Sequence, residues 1–181
     1  MAVKNVRGLR HAAAVYNGQM FGMRTMSGCG VSGVDDSGAT HFLPSQISNR
    51  ALGFGLRDCL ENSRLLDQHE YNAFFAKEEK KRNKHSWSSA MSANMGTKPI
   101  AALSKKMAWI GVYTADGDLH LQPTYNASGR EWLFLSDRDV KDIKIRYDSD
   151  DAVIGAALRE AFMRCEGAGR ADLTFEEPLP D

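Results

Sequence analysis

Two turn dipeptides constrain this chain more than any other feature. Asn17-Gly18 falls between Ala14-Val15-Tyr16 and Met20-Phe21, and Asp116-Gly117 falls between the apolar run Trp109 to Tyr113 and Leu119-His120-Leu121-Gln122. Asn-Gly and Asp-Gly suit the tight hairpin turn that needs positive φ at both central residues, so each folds its flanks into an antiparallel pair. Further strand candidates follow. Thr40 to Leu43 is stopped by Pro44, Met107 to Tyr113 precedes the second turn, and Leu119 to Gln122 is ended by Pro123. Trp132 to Leu135 is a short strand, and Ile143-Lys144-Ile145-Arg146-Tyr147 alternates with its apolar face inward. Between these, SGCGVSGVDDSG reads as a loop by composition.

Helical periodicity interrupts the strands. Ser48 or Asn49 caps a helix beginning near Arg50, whose Leu52, Leu56, Cys59 and Leu60 recur at i, i+4, i+7 and i+8. Asp67 caps a second helix with Tyr71, Phe74 and Phe75 on its buried face, solvated after Lys77. Residues 83–99 read as a connector with some helical character, because Trp87, Met91 and Met95 repeat every four residues. Asp150 and Asp151 open the strongest helix, with the stripe Val153, Ile154, Ala157, Leu158, Ala161, Phe162 and Cys165 and a stop at Gly167. The tail FEEPLPD is expected to fray. Strands, two helices, a strand meander and a final helix give an α+β fold, a mainly antiparallel twisted sheet with three or so helices packed against it. At 181 residues the expectation is one domain over residues 1–181.

Composition narrows the class. No window approaches the roughly 18 consecutive apolar residues of a membrane span. The N-terminal apolar run, Ala12 to Tyr16, is too short for a secretion signal. Three widely spaced cysteines do not suit a disulfide framework, so a cytoplasmic protein is expected. Charge is balanced in total but divided along the chain. Residues 1–110 hold 15 Lys/Arg and 8 Asp/Glu, a net of +7, and residues 111–181 hold 8 and 15, a net of −7. A neutral chain does not suit general nucleic-acid binding, while the acidic part suits a basic partner.

The chemical motifs are weak. Gly28, Gly30 and Gly33 spell GxGxxG, but Val34-Asp35-Asp36-Ser37-Gly38 follows where a dinucleotide site needs a helix. The histidines His11, His41, His69, His85 and His120 lack metal-ligand spacing, and there is no CxxC. His41 and His120 form an acid–base pair only if the fold brings them together. Cys59 and Cys165 lie on apolar stripes, leaving Cys29 as the candidate reactive thiol of a small-molecule enzyme. The run KEEKKRNK, residues 77–84, has no interleaved aromatic and reads as a solvated helix face. It is also the basis of the alternative reading, an RNA-binding or RNA-processing domain. Asn126-Ala127-Ser128 is a sequon by letters alone.

Three segments carry a family resemblance. Residues 51–64, ALGFGLRDCLENSR, resemble the LG-x-x-L-R-x-x-L-x-x-SR helix of the contact-dependent growth inhibition immunity proteins, the CdiI family. Trp109-Ile110, then Leu119, Leu121 and Pro123, is similar to that family's W-I … L-x-L-x-P pattern. Ile154-Gly155-Ala156-Ala157-Leu158-Arg159 through Arg164-Cys165 resembles its closing I-G-x-A-L-R … R-C helix. The match is poor at 27–39 and 83–99.

The resemblance implies a non-enzymatic inhibitor that forms a heterodimer with the C-terminal toxin domain of a cognate CdiA-type effector. That toxin is expected to be an RNase, often one acting on tRNA, whose active site the inhibitor blocks. It implies no catalytic residue, cofactor, metal, membrane, nucleic acid or small-molecule substrate. A basic RNase cleft calls for acidic groups and aromatic anchors. The expected contacts are Asp116, Asp118, Glu131, Asp137, Asp139 and Asp142 at turns and strand ends, with Tyr125 and Trp132 as anchors.

Overall fold

The computed structural model describes residues 9–96, 100–127, 131–135, 141–167 and 173–181. Its first strands follow from the Asn17-Gly18 turn: β1 (His11–Tyr16) pairs antiparallel with β2 (Met20–Cys29), with Tyr16 opposite Phe21 and Gly18 at φ 90°. The glycine-rich stretch is not a loop. β2 continues through Cys29, turns at Gly30 (φ 80°) and pairs with β3 (Val31–Val34). Gly28 bridges to Leu65, and the Phe74 and Phe75 rings lie against Gly33, so lack of side chains here admits close neighbours rather than mobility. β4 (Thr40–Pro44) takes the other half of β2's outer edge.

β5 (Ala108–Ala115) joins β1 and turns at Asp116 (φ 52°) and Gly117 (φ 80°) into β6 (Asp118–Asn126). β6 runs straight through Pro123, contrary to the expected stop. It pairs with β8 (Ile143–Arg146) over residues 118–121, and with β7 (Trp132–Phe134) and β9 (Glu166–Gly167) beyond residue 123. Pro123 sits where β6 exchanges partners, a place where a missing N–H costs little. The sheet order is β3-β2-β1-β5-β6-β7, antiparallel apart from the short β6–β9 pair.

One face of this curled sheet carries α1 (Asn49–Glu61) and α5 (Asp151–Arg164). Ser48 caps α1 through the Ala51 N–H and Asp150 caps α5 through the Ala152 N–H, as the N-cap preference requires. Leu52, Leu56 and Leu60 of α1 and Ile154, Leu158 and Phe162 of α5 meet Tyr16, Phe21, Ile110, Val112, Leu119 and Leu121 of the sheet, all fully or almost fully buried. Val153 is the exception in the α5 stripe, 48% exposed, because α5 turns that flank outward. The helix ends at Arg164, before Gly167, and Cys165 is extended. The tail does not fray: Phe175 packs 5.2 Å from the Tyr16 ring, Tyr16 Oη donates to the Thr174 carbonyl, and Leu179 N–H donates to Gln46 O at 2.8 Å.

The other face is half covered. α2 (Gln68–Phe74) is capped by Asp67 with a reciprocal Glu70 bond, but buries no residue fully. Next comes α3 (Lys77–Met95). The four-residue repeat expected of a connector is a helix stripe: Trp87, Met91 and Met95 pack with Leu103 of α4 (Ile100–Ser104) against Val15, Met20, Phe42 and Trp109. Arg24, 2% exposed on β2, lies 4.6 Å under the Trp87 ring and pairs with Asp36 at 3.0 Å. Among the described residues there are thus five helices, two of which hold the main core. No described helix is long and apolar enough to cross a membrane.

Candidate functional site

The part of the back face that α3 and α4 leave open is built by strand alternation. On β5 the residues Ile110 and Val112 point into the core, so Trp109, Gly111 and Tyr113 point away. On β6 Leu119 and Leu121 point in, so Asp118, His120 and Gln122 point away. Register then aligns one row across four strands: His11 opposite Tyr113, Tyr113 opposite His120, His120 opposite Lys144. The Tyr113 and His120 rings stack at 4.6 Å and 6°, and His11 lies 6.4 Å from Tyr113. Burial lowers the His11 imidazole pKa. Burial, then the charge of Asp142, raises that of the Tyr113 phenol.

Charged groups flank this row in matched pairs. Lys144 Nζ stands 2.8 Å from Asp118 Oδ2, and Arg146 Nη1 3.6 Å from Asp118 Oδ1. The Lys144 hydrogen bond first, then its charge and that of Arg146, holds the Asp118 carboxyl below the usual carboxylate range; Asp118 in turn raises Lys144. Gln122 Nε2 donates to Asp142 Oδ2 at 3.1 Å. Phe134 of β7 lies over Gly111, where a Cβ would come within 2.8 Å of its ring, and 5.6 Å from Trp109. The result is a flat strip of aromatic, imidazole and mixed-charge groups. It is suited to a polar protein surface and holds no nucleophile–base arrangement among the described residues.

The expected contacts do not converge on one patch. Asp116 is exposed at the β5–β6 turn, and Asp118 is engaged by the two cations. Asp142 lies beside Gln122, with Oδ1 buried and unpartnered. Tyr125 and Trp132 are half-buried at the far end of β6, Trp132 with an unpartnered indole N–H, and Glu131 beside them is exposed. The nine residues of β6 put about 26 Å between these ends. Asp137 and Asp139 lie outside the described residues.

The fold separates His41 from His120. His41 Nε2 sits 2.7 Å from Asp58 Oδ2 on the helix-bearing face, with β2, β1 and β5 between β4 and β6. Asn126 of the sequon is 2% exposed and donates to Ser104 O at 3.0 Å and Met107 O at 3.3 Å, so no glycan could attach there. No group of three or more His, Cys, Asp or Glu among the described residues could hold a metal ion. Tyr113, Lys144 and Arg146 were not among the expected contacts. The signal available for them was parity, since each alternates with inward-facing apolar residues.

The residues that carry the family resemblance do other work. Gly53 and Gly155 bring α1 and α5 together at backbone contact. Arg57 bonds Asp151 at 2.6 Å and the Tyr147 and Ser149 carbonyls at 3.0 and 2.5 Å. Arg159 bonds Asn49 Oδ1 and Ser45 O, each at 2.9 Å, and Ile47 O. Ser63 accepts from His11 N–H and donates to Met26 O, while Arg64 reaches Asp35 at 2.9 Å. These are staples between elements, so they identify the scaffold and leave the recognition surface to other residues.

Comparison with known proteins agrees on that scaffold. A protein of unknown function from Neisseria meningitidis, NMB0488, has a similar structure, with a TM-score of 0.79 and 28% identity over 87% of this chain and 95% of that one. The CdiA-CT/CdiI toxin and immunity complex from Yersinia pseudotuberculosis shares the fold, with a TM-score of 0.78 and 21% identity over 87% of this chain and 97% of the matched one. No curated protein matches the chain. The family described as CDI immunity protein, CdiI, matches residues 10–165, and the chain belongs to it.

Proposed function

We propose that this chain protects the cell that makes it by binding the C-terminal toxin domain of a cognate CdiA-type effector in the cytoplasm. It acts as a stoichiometric plug in a heterodimer and performs no chemistry of its own. The family match over residues 10–165 carries this reading, and the shared fold with one component of a toxin–immunity complex supports it. The toxin is an RNase whose substrate cleft is covered. The contacts proposed from the sequence are Asp116, Asp118, Tyr125, Glu131, Trp132, Asp137, Asp139 and Asp142, of which Asp118 and Asp142 adjoin the Tyr113–His120 strip. Carboxylates at an interface rim raise the association rate toward a basic cleft, and stacked aromatic groups in its middle hold the complex.

The test is co-expression with the toxin domain encoded beside this chain. Cells carrying both should grow, cells carrying the toxin alone should lose viability with cleaved RNA, and added salt should slow association more than dissociation. Equal killing with and without this chain would refute the immunity reading. Rescue without any RNA cleavage by the free toxin would refute the RNase assignment alone.

A further inference from the structure

The chain contains one Asn-Gly and one Asp-Gly dipeptide, and the fold treats them in opposite ways. Asn17 is locked. Its Oδ1 accepts the Gln19 and Met20 N–H groups at 3.0 and 2.9 Å, its Nδ2 donates to Met95 O at 3.3 Å, and its own N–H donates to Met20 O at 3.3 Å. Gly18 is buried, and Thr174 Oγ1 donates to its carbonyl at 3.3 Å. Asp116 and Gly117, by contrast, are both exposed. Asp116 is the one non-glycine residue with positive φ among the described residues, at 52° beside Gly117 at 80°. L-residues adopt that conformation at a cost. Tyr147 N–H donates to the Gly117 carbonyl at 3.0 Å, while no hydrogen bond engages the Gly117 N–H among the described residues.

We propose that Asp116-Gly117 is a site of spontaneous covalent modification to an isoaspartyl linkage, and that the modified chain is a substrate for an S-adenosylmethionine-dependent isoaspartyl carboxyl methyltransferase. The Gly117 amide nitrogen attacks Asp116 Cγ. The carboxyl hydroxyl leaves with the amide proton as water, closing a five-membered imide. Water then adds to the former backbone carbonyl of Asp116, and the bond from that carbon to nitrogen breaks. The chain now runs through the side-chain carbonyl and carries a free α-carboxylate, which the methyltransferase esterifies with the methyl group of S-adenosylmethionine. One water leaves and one returns, so the isomerisation needs no oxidant and leaves the mass unchanged. Glycine has no Cβ to shield the attacking nitrogen, and an exposed loop tip tolerates the added backbone methylene. In an unfolded chain Asn-Gly closes the same ring faster, because a neutral carboxamide is a better electrophile than a carboxylate. The fold reverses that order, since Asn17 must first break its side-chain hydrogen bonds. The site is independent of the immunity reading and asks nothing of the toxin.

The intact native chain is aged in neutral buffer at body temperature, then given an isoaspartyl carboxyl methyltransferase and tritiated S-adenosylmethionine. It should accept methyl groups, and peptide mapping by electron-transfer fragmentation should place isoaspartate at residue 116 and leave Asn17 intact. In urea the order should invert, with Asn17 deamidating first. Asp116→Asn gives both turns the same dipeptide, and in the native chain it should deamidate about tenfold faster than Asn17 or more. Asp116→Glu, whose longer side chain disfavours the imide, should lose the methyl acceptance mapped to this turn. The parent chain needs no substitution to decide the matter. Native protein that forms no isoaspartate at residue 116, while the urea-unfolded chain does, would overturn the proposal. So would Asn17 reacting first in the native state.

Discussion

Replacing Gly155 by alanine probes the backbone-to-backbone approach of α1 and α5. A Cβ on Gly155 would fall 1.9 Å from the Asn49 carbonyl oxygen and 2.8 Å from its carbon, and one on Gly53 would fall 1.8 Å from Asp151 O and 2.9 Å from Gly155 N. Real Cβ atoms essentially never approach within 3.0 Å, and here the obstacle is backbone in both directions. The two helices must therefore part locally by about 1 Å, in an interior that has no slack to absorb it. Alanine's intrinsic advantage over glycine in a helix, about 1 kcal/mol, works in favour of the substitution. Against it stand overpacking, about 1–3 kcal/mol, and strain on the charged hydrogen bonds that cross the same seam, about 1.5–3 kcal/mol each. These are Arg57–Asp151 at 2.6 Å and Arg159–Asn49 at 2.9 Å.

The net expectation is a loss of about 2–4 kcal/mol, which for a chain of this size lowers Tm by about 5–12 °C. Gly55→Ala on the same helix is the control. Its Cβ would meet the free end of Met23 at 2.8 Å and nothing else inside 3.5 Å, so the flexible thioether moves aside and stability stays within about 0.5 kcal/mol. Far-UV circular dichroism melts in heat and urea measure all three, and Gly53→Ala combined with Gly155→Ala should cost less than the sum of its parts. A Gly155→Ala protein as stable as the parent, or a Gly55→Ala protein as damaged as Gly155→Ala, would refute the close-contact argument.

Three further outcomes follow from buried polar chemistry. Arg159→Leu removes the donors to Ser45 O, Ile47 O and Asn49 Oδ1 and should cost about 3 kcal/mol in urea unfolding. Iodoacetamide at mildly alkaline pH should modify Cys29 alone in the native protein, by mass spectrometry, and all three cysteines in urea. Cys29 is exposed, whereas Cys59 and Cys165 are buried and desolvation pushes the Cys59 thiol up to about 12. His11 should make stability fall in mild acid. Burial lowers its folded pKa, so the unfolded chain takes up the proton first. The stabilisation is complete above the unfolded value of 6.5 and is lost as pH falls through the folded one. Melts between about pH 7 and pH 5 should decline for the parent and be flatter for His11→Gln, and equal slopes would exclude His11 as the cause.

Local chemistry was legible wherever one short segment decides the outcome. Asn17-Gly18 and Asp116-Gly117 both reverse the chain, the second with positive φ at both residues as its type requires and the first with positive φ at Gly18 alone, closed by the Asn17 N–H to Met20 O; Ser48, Asp67 and Asp150 cap their helices, and the α1 stripe is buried as spaced. The misreadings share a cause: a partner distant in sequence supplied what the segment lacked. Pro123 continues a strand because β6 changes neighbours there. The glycine stretch is a hairpin because Leu65, Phe74 and Phe75 need its bare backbone, and the tail is ordered because Tyr16 and Gln46 receive it. Parity on β5, β6 and β8 could be read from alternation alone. The stacking of Tyr113 on His120 could not, because it depends on register between strands, and a slip of one residue turns every side chain to the other face.

That register also decides how the acidic residues can work. A standard interface buries about 800 Å² per partner and is about 30 Å across. His120 lies two residues from the turn end of β6 and six from its far end, about 7 and 20 Å, so a footprint centred on the Tyr113–His120 stack holds Asp116 toward one rim and leaves Glu131 at or beyond the other. Rim charges lie in water and are screened, so each contributes little to holding the complex but adds to the field that guides a basic partner in. The stack is where desolvation on binding is greatest and where aromatic groups carry most energy. Asp116→Lys should therefore slow association several-fold at low salt, converge with the parent at high salt, and leave dissociation nearly unchanged. Tyr113→Ala should speed dissociation by about tenfold or more with association little altered. Surface plasmon resonance against the cognate toxin domain separates the two rates. The reverse pattern, with Asp116 governing dissociation and Tyr113 silent, would move the centre of the interface to the β5–β6 turn and refute the footprint drawn from the sheet.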